Sequence, residues 1–365
     1  MHRDYGRVAV IHDWLTGMRG GESVLEAILE TLPQAELFTL FHFKGSVSPA
    51  IESRRIHTSG LQSIARRVGD YRKLLPFFPG AVRRWDLRGF DLIVSSSHCV
   101  AKGVRARGKP HLCYCHTPMR YIWDRFDDYF PPSRPLQRAV ASVAAKRLRR
   151  WDVRTAGEVT QFVANSSFVR DRINRYYGRD ALVVNPFVDE AFLKAPLENE
   201  RGDYHVILSA LVPYKQVDLG IRTAAAAGKN LVVIGGGPLL EHYRAQAPPN
   251  VQLLGAVERS RIVSVVARAR SLILPGIEDF GITPLEAMAL GTPVVARGEG
   301  GVLDSVVPGE TGIFFTAPTV ESLRRAINEV ESRQWDRETL RRRAALFSKP
   351  QFLEGFRSAL DPLTA

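Results

Sequence analysis

The sequence predicts an α/β protein built from two doubly wound domains, and three observations support this prediction. The chain has 365 residues, and at about 150 residues per domain this length corresponds to two or three domains. Short β-branched runs, glycine-bearing turns and helical patterns alternate along both halves, which is typical of parallel sheets with crossover helices. Apolar residues make up 45% and charged residues 24% of the chain, which excludes a disordered protein.

The first half contains five predicted strands and two predicted helices. The strands are Val8–Ile11, Asp91–Ser95, His111–Cys115, Gln161–Ala164 and Leu182–Val184. A helical stripe of apolar residues covers Ser23–Leu32, and Phe168–Tyr177 is predicted to form a helix that ends at Gly178. We expect residues 1–188 to form the first domain.

The second half repeats the alternation more regularly. Its predicted strands are His205–Ala210, Leu231–Ile234, Val251–Leu254, Ser271–Leu274 and Pro293–Ala296. The predicted helices cover 217–227, 238–247, 259–269, 284–290 and 320–332. This alternation predicts a second doubly wound domain over residues 189–346. The helical pattern within residues 347–365 predicts a further helix that packs back on the first domain.

Charge and cysteine content restrict the partners and the compartment. The chain has 50 Lys and Arg residues against 38 Asp and Glu residues, and its net charge of +12 indicates an anionic partner: nucleic acid, a phosphorylated small molecule or anionic lipid. Three cysteines cannot all pair, so we expect a reducing, cytoplasmic compartment. Apolar runs are far shorter than the roughly 18 residues of a membrane span, and Val8–Ile11 is too short for a secretory signal.

Several unusual residues of the second half come directly after predicted strands. They are Lys215, the turn Gly235-Gly236-Gly237 and a loop that contains Glu278. The carboxyl ends of parallel strands meet at one edge of a sheet, so we expect these residues to lie together. A lysine and a bare turn before a helix suit a phosphorylated ligand. Each feature alone is also explained by a tight turn or a solvated side chain, and only their convergence favours a site.

The two glutamates of this region differ in how easily they are explained. Thr283, Pro284 and Glu286 have the spacing of a capping box with proline in the first turn, so Glu286 has a structural interpretation beside a functional one. Glu278 has no such explanation, because it lies in a loop shortly before Phe280.

The first half also offers two candidates. Gly17, Gly20 and Gly21 separate a predicted strand from a helix, and such turns bind anions. This turn is not a nucleotide-binding phosphate loop, because Glu22 stands where that loop has lysine. His116 ends a predicted strand, and we expect its imidazole to point into the cleft between the domains.

Two other features receive weaker interpretations. His111, Cys113 and Cys115 suggest a metal site, but a flat strand cannot easily surround a tetrahedral ion and buried thiols are common in strands, so we predict no metal. The segment Arg66–Trp85 mixes basic with apolar residues, which suits an anionic membrane surface. An ordinary surface helix with a buried stripe explains that segment as well.

Several of these segments resemble the family-4 retaining glycosyltransferases of GT-B fold. The most specific is Pro275–Gly291 (PGIEDFGITPLEAMALG), whose two glutamates lie eight positions apart. The other matching segments are Gly20–Glu22, His116–Pro118, Asn165–Ser166, His205–Asp218, Gly235–Pro238, Thr292–Ala296 and Phe347–Leu360. The resemblance implies two Rossmann-like domains that face a cleft, with a C-terminal helix that crosses back to the first domain.

The resemblance also implies a role for each matching residue. Lys215 contacts the diphosphate of a nucleotide sugar, Glu278 binds sugar hydroxyls and His116 lies beside the reacting face of the sugar. The implied donor-binding residues are Gly20, Gly21, Gly235, Gly236, Gly237, Phe280, Gly281, Ile282, Thr283 and Glu286, the last through the ribose hydroxyls. Arg120 and Asn165 are expected near the acceptor.

Residues 116–124 (HTPMRYIWD) resemble bacterial mannosyltransferases that build O-antigen and exopolysaccharide from GDP-mannose. This resemblance implies a GDP-mannose donor, a glycan or polyprenyl-diphosphate-linked acceptor at the inner face of the cell membrane, and no metal, other cofactor or nucleic acid. One position departs from the family. Where the family has an arginine five residues before its lysine, this chain has Ala210, so one diphosphate-binding charge is missing unless Arg120 or Arg297 replaces it.

Other functions stay open on sequence alone: a transferase that uses a UDP-sugar, an epimerase or phosphorylase of the same architecture, an inactive transferase, or a basic protein that binds nucleotide sugars or nucleic acid. A nicotinamide dehydrogenase is disfavoured, because Leu240 stands where its fingerprint after Gly235 and Gly237 needs a third small residue. The sequence leaves the donor base, the acceptor, the linkage and the oligomeric state open.

Overall fold

The computed structural model describes residues 5–130, 132–133, 135–198 and 200–364, and the chain divides into two compact units. The first unit comprises residues 1–185 and 352–365, and the second comprises residues 186–351. Each unit contains one sheet whose strands are all parallel. These two Rossmann-like units confirm the predicted α/β fold class.

The first unit has a seven-stranded sheet. Strands β1–β7 are Val8–His12, Glu36–Thr39, Ile56–Thr58, Leu92–Ser97, His111–Cys115, Gln161–Ala164 and Ala181–Val183. Their order in the sheet is β3-β2-β1-β4-β5-β6-β7, so the direction of winding reverses between β1 and β4. The helices are Gly20–Thr31, Pro49–Glu52, Gln62–Val68, Phe78–Val82, Phe126–Tyr129, Pro135–Ala156, Ser167–Tyr177 and most of Lys349–Leu360, with 3₁₀ turns at Tyr71–Phe77, Ala101–Gly103 and Asp361–Thr364.

The second unit has a six-stranded sheet. Strands β8–β13 are His205–Leu208, Leu231–Ile234, Val251–Gly255, Leu272–Leu274, Val294–Arg297 and Gly312–Phe315. Their order is β10-β9-β8-β11-β12-β13, and the winding reverses between β8 and β11. The helices are Glu190–Lys194, Val217–Ala227, Leu240–Gln246, Arg259–Arg268, Ile282–Ala289, Val302–Ser305, Val320–Ser332 and Arg337–Ala345, with a 3₁₀ turn at Pro213–Lys215.

Burial of the apolar pattern explains why these segments adopt their structures. All five residues of β1 are buried, as expected for a central parallel strand that is covered on both faces. The helix Val320–Ser332 buries Leu323, Ala326, Ile327 and Val330, which recur at helical spacing on one face. This periodicity allows both elements to be found from sequence.

The C-terminal helix is part of the core of the first unit. Phe352 and Phe356 are buried, and the Phe352 ring lies edge-on to Tyr114 at 5.7 Å between centroids. The side-chain amide of Gln161 donates a hydrogen bond of 2.8 Å to the carbonyl of Ala359. Residues from opposite ends of the chain therefore share one core.

The structure differs from the predicted elements at particular places. Strands β2, β3 and β13 were not predicted, and neither were the helices Pro135–Ala156 and Arg337–Ala345. Strands β2 and β3 have only four and three residues, which is too short for a periodic pattern to stand out, and β3 is also the partly exposed edge strand of the sheet. The first helix begins at Gly20 rather than Ser23, because the glycines form its first turn.

Candidate functional site

Each unit has one place where its topology favours a ligand. In open parallel sheets, ligands bind outside the carboxyl ends of the strands at the point where the winding reverses. In the first unit, β1 and β4 end there, next to Asp13 and His98. In the second unit, the loops after β8 and β11 carry Lys215 and Glu278. We call these the histidine site (His12, His98 and His116) and the lysine site (Lys215 and Glu278).

The lysine site contains an ion pair, because Lys215 Nζ contacts Glu278 Oε1. Both side chains are largely buried, with 16% and 11% of their surface exposed. The next residue, Gln216, has φ = +52°, a left-handed conformation that is uncommon for a residue other than glycine. Its Oε1 atom is buried and accepts no hydrogen bond within the part of the chain that the structure describes. Local strain and an unsatisfied polar atom are common at functional sites.

Close backbone packing brings Lys215 and Glu278 together. A Cβ atom on Gly276 would lie 2.8 Å from the carbonyl oxygen of Lys215, and one on Gly300 would lie 2.5 Å from the carbonyl oxygen of Glu278. The amide of Gly301 donates a hydrogen bond of 2.9 Å to the same Glu278 carbonyl. Only glycine fits at positions 276 and 300, so these residues fix the loops that carry the ion pair.

The helix after Glu278 presents its first turn at the same loop. The helix Ile282–Ala289 has Gly281 at its N-cap with φ = +86°. The first N–H groups of a helix have no partners within the helix, so the amides of Ile282 and Thr283 can bind an anion. The side chain of Phe280 is 3% exposed and packs against Phe347, which leaves only its backbone for a ligand.

The capping box predicted for Thr283 and Glu286 is wrong. The helix begins one residue before Thr283, and Gly281 occupies the cap position without a side-chain hydrogen bond. The left-handed backbone of Gly281 starts the helix early, and Pro284 still falls among the first residues, where its missing N–H has no cost. A capping box therefore does not explain why a glutamate stands at position 286.

Glu286 has an unusual protonation equilibrium. Burial and the nearby charge of Asp189 raise the pKa of Glu286 to about 7, although Arg259 acts in the opposite direction. Arg259 itself forms an ion pair with Asp189. A carboxyl group that is half protonated near neutral pH is a candidate for binding hydroxyl groups.

The glycine turn after β9 is largely explained by packing. A Cβ atom on Gly235 would lie 1.8 Å from the carbonyl oxygen of Ser209, and one on Gly237 would lie 2.5 Å from that of Leu211. Only Gly236 has open space, since its nearest neighbour is Ala256 at 3.8 Å. The following helix begins at residue 240 and has seven residues. A donor-binding role for these glycines stays a prediction.

Arg297 ends β12 at the carboxyl edge of the second sheet. Its Nη2 atom lies 2.9 Å from Glu299 Oε2, and its Nε atom is buried without a hydrogen-bond partner among the described residues. Ala210 lies exposed two residues after β8. Arg297 is therefore a cation with one N–H donor that lacks a partner in the described part of the chain. It lies in the same unit as Ala210, the position where the family pattern has an arginine. Arg120 lies in the turn that follows β5 of the first unit.

A serine links two imidazoles in the histidine site. Ser96 Oγ lies 3.0 Å from His12 Nδ1 and 2.8 Å from His116 Nε2. The ring of His98 lies 5.9 Å from that of His12 and 6.3 Å from that of His116, between centroids. Burial and the charge of the neighbouring histidines lower the pKa of His116 well below its usual value, and burial also lowers the pKa of His98. Neutral imidazoles can exchange hydrogen bonds with a substrate hydroxyl.

Asp13 organises the loop that carries His98. The carboxylate of Asp13 is buried and accepts four backbone hydrogen bonds of 2.7–2.8 Å, from residues 98, 99, 100 and 101. Oδ2 also lies 3.3 Å from His98 Nδ1. Sequence reasoning missed Asp13, Ser96 and His98. The run of His12 and Asp13 directly after an apolar strand was the only signal for them.

Two predicted residues of the first unit, Gly21 and His116, lie side by side. A Cβ atom on Gly21 would lie 3.9 Å from His116 Cε1 and Nε2, which is ordinary van der Waals contact, so the glycine lies directly beside the imidazole. The side chain of Glu22 accepts a hydrogen bond of 3.0 Å from the amide of Arg19 and starts the helix that contains Gly20 and Gly21. Although burial opposes the change, hydrogen bonding and charge from His12 lower the pKa of Glu22.

Asn165 acts on His116 through the backbone. Its side-chain amide donates a hydrogen bond of 3.0 Å to the carbonyl of His116. The side-chain amide of Asn185 in turn donates a hydrogen bond of 3.1 Å to the carbonyl of Asn165. Asn165 is therefore a positioning residue for the end of β5. Its predicted contact with an acceptor stays a prediction.

The residues that suggested a metal site are buried in the sheet. Cys113 and Cys115 belong to a core cluster of the first unit, and both are free thiols. His111 Nε2 lies 2.8 Å from Ser95 Oγ, and burial lowers the pKa of His111 to about 3. Among the described residues, no group of three or more His, Cys, Asp or Glu side chains is arranged to hold a metal ion.

The basic segment Arg66–Trp85 folds into two short helices joined by a 3₁₀ turn. Leu74 and Phe78 are buried in the core, whereas Phe77 is 62% exposed. Most of the apolar residues therefore support the fold, whereas Phe77 and, with 37% of its surface exposed, Val68 lie at the surface. No helix in the described ranges is long and apolar enough to cross a membrane.

Two family models match the chain. Residues 18–192 match the model described as "Glycosyltransferase Family 4", and residues 188–347 match the model described as "Glycosyl transferases group 1". Together the two matches extend over both units. The lysine site lies within the group-1 match, and the histidine site lies within or next to the family-4 match.

The curated relatives include two glycosyltransferases. An uncharacterized glycosyltransferase of Methanocaldococcus jannaschii is 27% identical over 52% of this chain and 54% of its own length. A GDP-mannose-dependent alpha-(1-6)-phosphatidylinositol monomannoside mannosyltransferase of Mycolicibacterium smegmatis is 29% identical over 52% of this chain and 56% of its own length. The matched region thus spans about half the length of each relative.

A solved structure shares the fold over the whole chain. The Anabaena protein HepE in complex with UDP is 17% identical, covers 98% of this chain and 100% of its own, and superimposes with a TM-score of 0.69. The fold is therefore that of the GT-B glycosyltransferases. The family models and the fold together support a glycosyltransferase of the family-4 and group-1 kind.

Proposed function

We propose that the chain is a retaining hexosyltransferase that moves mannose from GDP-mannose to a glycan or lipid-linked acceptor in the synthesis of a surface polysaccharide. One observation carries the proposal. The pair of Lys215 and Glu278 lies at the carboxyl ends of the strands where the winding reverses, beside the first turn of the helix Ile282–Ala289. A fixed cation, a carboxylate and free amides at such a point suit the diphosphate and the sugar of a nucleotide sugar.

The proposed chemistry follows from how charge develops. The leaving diphosphate gains negative charge as its bond to the sugar breaks, so Lys215 and the helix amides stabilise the transition state more than the bound donor. We propose that Glu278, which already contacts Lys215, accepts hydrogen bonds from sugar hydroxyls. A diphosphate oxygen then takes the proton of the attacking hydroxyl on the same face of the sugar, which gives retention without a nucleophile from the protein.

Two further residues fit this proposal. The buried carboxyl group of Glu286, with its pKa raised to about 7, is suited to the ribose hydroxyls, because those hydroxyls replace the solvation that burial removes. Arg297, with a buried and unsatisfied Nε atom, is suited to supply the second positive charge that Ala210 lacks. In this proposal the two cations act on the diphosphate without a metal ion.

The donor base is the part of the proposal that most needs testing. GDP-mannose is supported by residues 116–124 and by the printed name of the Mycolicibacterium relative. A UDP-sugar is the second candidate, and it is favoured by the Anabaena structure, which was solved with UDP.

A binding panel tests the proposal. The full chain is titrated with GDP, UDP, ADP and their sugars in the presence of EDTA, and transfer is measured with each sugar nucleotide. We expect saturable binding of GDP and GDP-mannose. Lys215→Ala should lower kcat by about 10²–10³, or about 2.7–4 kcal/mol, the usual cost of removing one group that stabilises a developing anion.

Lys229→Ala is the matched control. Lys229 also lies in the second unit and forms an ion pair with a glutamate, Glu331, so its loss removes the same charge away from the lysine site. The control should keep full activity. If no nucleoside diphosphate binds, or if both lysine variants lose activity equally, the proposed function is wrong. If UDP binds and GDP does not, the transferase proposal stands with the second donor.

A further inference from the structure

The amino-terminal edge of the first sheet carries a cavity of about 660 Å³ that the proposed function does not use. Its lining contains six arginines: Arg83, Arg84, Arg88, Arg105, Arg107 and Arg154. They come from segments that precede β4, β5 and β6. Parallel strands begin at one edge and end at the other, so this cavity lies across the sheet from the histidine site at the carboxyl edge.

Only two of the six arginines have acidic partners. Arg88 binds Asp86 through two hydrogen bonds, of 2.6 and 2.8 Å, and Arg83 lies 3.0 Å from Glu158. The other four arginines form neither an ion pair nor a side-chain hydrogen bond with any residue that the structure describes: Arg84, Arg105, Arg107 and Arg154. The cavity therefore has a strong excess of positive charge.

The fold holds two of these arginines in place. Arg105 and Arg107 are exposed on either side of Ala106, which is buried in the core together with Val104. Arg107 has φ = +50°, a left-handed conformation that costs a residue other than glycine roughly 1–2 kcal/mol. Because Ala106 is buried between them, both arginine side chains lie at the surface, and the charge of Arg107 helps Arg88 to lower the pKa of Asp86.

We propose that this cavity is an anion site that binds a ligand with two neighbouring phosphate groups. Guanidinium groups form paired hydrogen bonds with phosphate oxygens, which is why arginine rather than lysine predominates where phosphate geometry is recognised. The volume lies within the range of roughly 300–1,000 Å³ that is usual for small-molecule sites. A ligand with several negative charges would also relieve the repulsion among the six arginines, which outnumber the single acidic residue of the lining, Asp86.

Inorganic pyrophosphate is the first probe. Its binding to the full chain is measured by titration calorimetry at about 0.1 M salt, where weak surface attraction is screened. All variants are made on a Lys215→Ala background, so that pyrophosphate bound at the lysine site does not contribute. The cavity variant combines Arg84→Gln, Arg105→Gln and Arg107→Gln.

The matched control combines Arg67→Gln, Arg261→Gln and Arg357→Gln, which removes the same charge from exposed arginines outside the cavity. We expect the cavity variant to bind pyrophosphate about tenfold more weakly or worse, and the control to bind it as before. Equal loss in both variants, or no saturable binding by the starting protein, would overturn the proposal. All exchanged side chains are exposed, so urea unfolding should show that both variants fold normally.

Vesicles distinguish a lipid headgroup from a soluble phosphate compound. The same proteins are sedimented with vesicles of phosphatidylcholine alone and with about 5% phosphatidylinositol bisphosphate, whose headgroup carries two neighbouring phosphate groups. If the cavity variant loses both pyrophosphate and anionic vesicles while the control keeps them, the natural ligand is a headgroup. If it loses only pyrophosphate, the ligand is soluble. Neither result depends on the proposed transferase activity, because every protein in this comparison carries Lys215→Ala. That activity is tested separately on the chain that keeps Lys215.

Discussion

The two units have the same winding and place very different chemistry at the same point of it. In the second unit, the residues at the reversal of winding are a lysine and a glutamate in direct contact. In the first unit, they are two histidines that share a serine, next to a buried aspartate. One site offers a fixed charge to an anion, and the other offers hydrogen bonds to uncharged groups. A common fold therefore fixes the location of a site and leaves its chemistry to a few residues.

The two sites are also supported in different ways. Glycine packing against the backbone holds the lysine site, as at Gly276 and Gly300. A single carboxylate, Asp13, holds the loop of the histidine site through four backbone N–H groups. Changes at Asp13, Glu286 and the histidines test this difference.

Asp13→Ala should cause the largest loss of stability in the first unit. It leaves four buried N–H groups without an acceptor, and each unsatisfied group costs about 1–3 kcal/mol, so we expect a loss on the order of 4 kcal/mol or more. Urea unfolding followed by the fluorescence of the tryptophans measures it. Asp70→Ala is the control, because that exposed carboxylate accepts one bond, from the amide of Arg72, and should cost about 1 kcal/mol. Similar losses in both variants would refute the special role of Asp13.

Glu286→Gln should stabilise the second unit as the pH rises. The pKa of Glu286 is about 7 in the folded chain and about 4.5 when unfolded, so between these values the folded chain binds the extra proton and stability falls as pH increases. One pKa unit corresponds to about 1.4 kcal/mol, and because the residue as a whole is half-buried rather than fully buried, we expect a reduced gain of about 1–2 kcal/mol at pH 8 and almost none at pH 4. Unfolding curves at both pH values measure it. Glu241→Gln, the same exchange at an exposed glutamate of the second unit, is the control for the loss of one carboxylate.

The histidine site should respond to pH in the opposite direction. Burial lowers the pKa values of His98 and His116 in the folded chain, so below pH 6.5 the unfolded chain takes up protons that the folded chain does not, and stability falls as the pH falls. A double variant, His98→Gln with His116→Gln, should flatten the dependence of unfolding free energy on pH between about pH 5 and 7. The quantity measured is the slope of the unfolding free energy against pH, so a loss of stability that is equal at every pH does not affect it. An unchanged slope would show that these imidazoles are not held neutral.

Sequence reasoning located the lysine site because its signals are local. Lys215 and Glu278 each follow a predicted strand, and parallel winding requires such loops to meet at one edge. It misplaced the start of the helix Ile282–Ala289, because the left-handed turn at Gly281 depends on packing around the loop and not on the capping pattern of Thr283. That error had concealed the unexplained carboxyl group of Glu286.

The histidine site was less accessible to sequence reasoning because its contacts span long separations. Ser96 lies 84 residues from His12 and 20 residues from His116, and Asp13 accepts hydrogen bonds from residues 85–88 positions away. No periodic pattern links positions so far apart. The arginine cavity has the same property, since its residues come from three separate segments of the chain.

The sequence by itself determined the alternation of strands and helices, the two-unit fold and the segment with Lys215 and Glu278, because these depend on local periodicity and on the fixed rules of parallel winding. The tertiary structure alone decided which distant polar groups meet: the serine between two imidazoles, the carboxylate beneath His98, the buried Glu286 and the arginines around one cavity. Burial and charge act through space, so the properties of these groups arise only when the chain has folded.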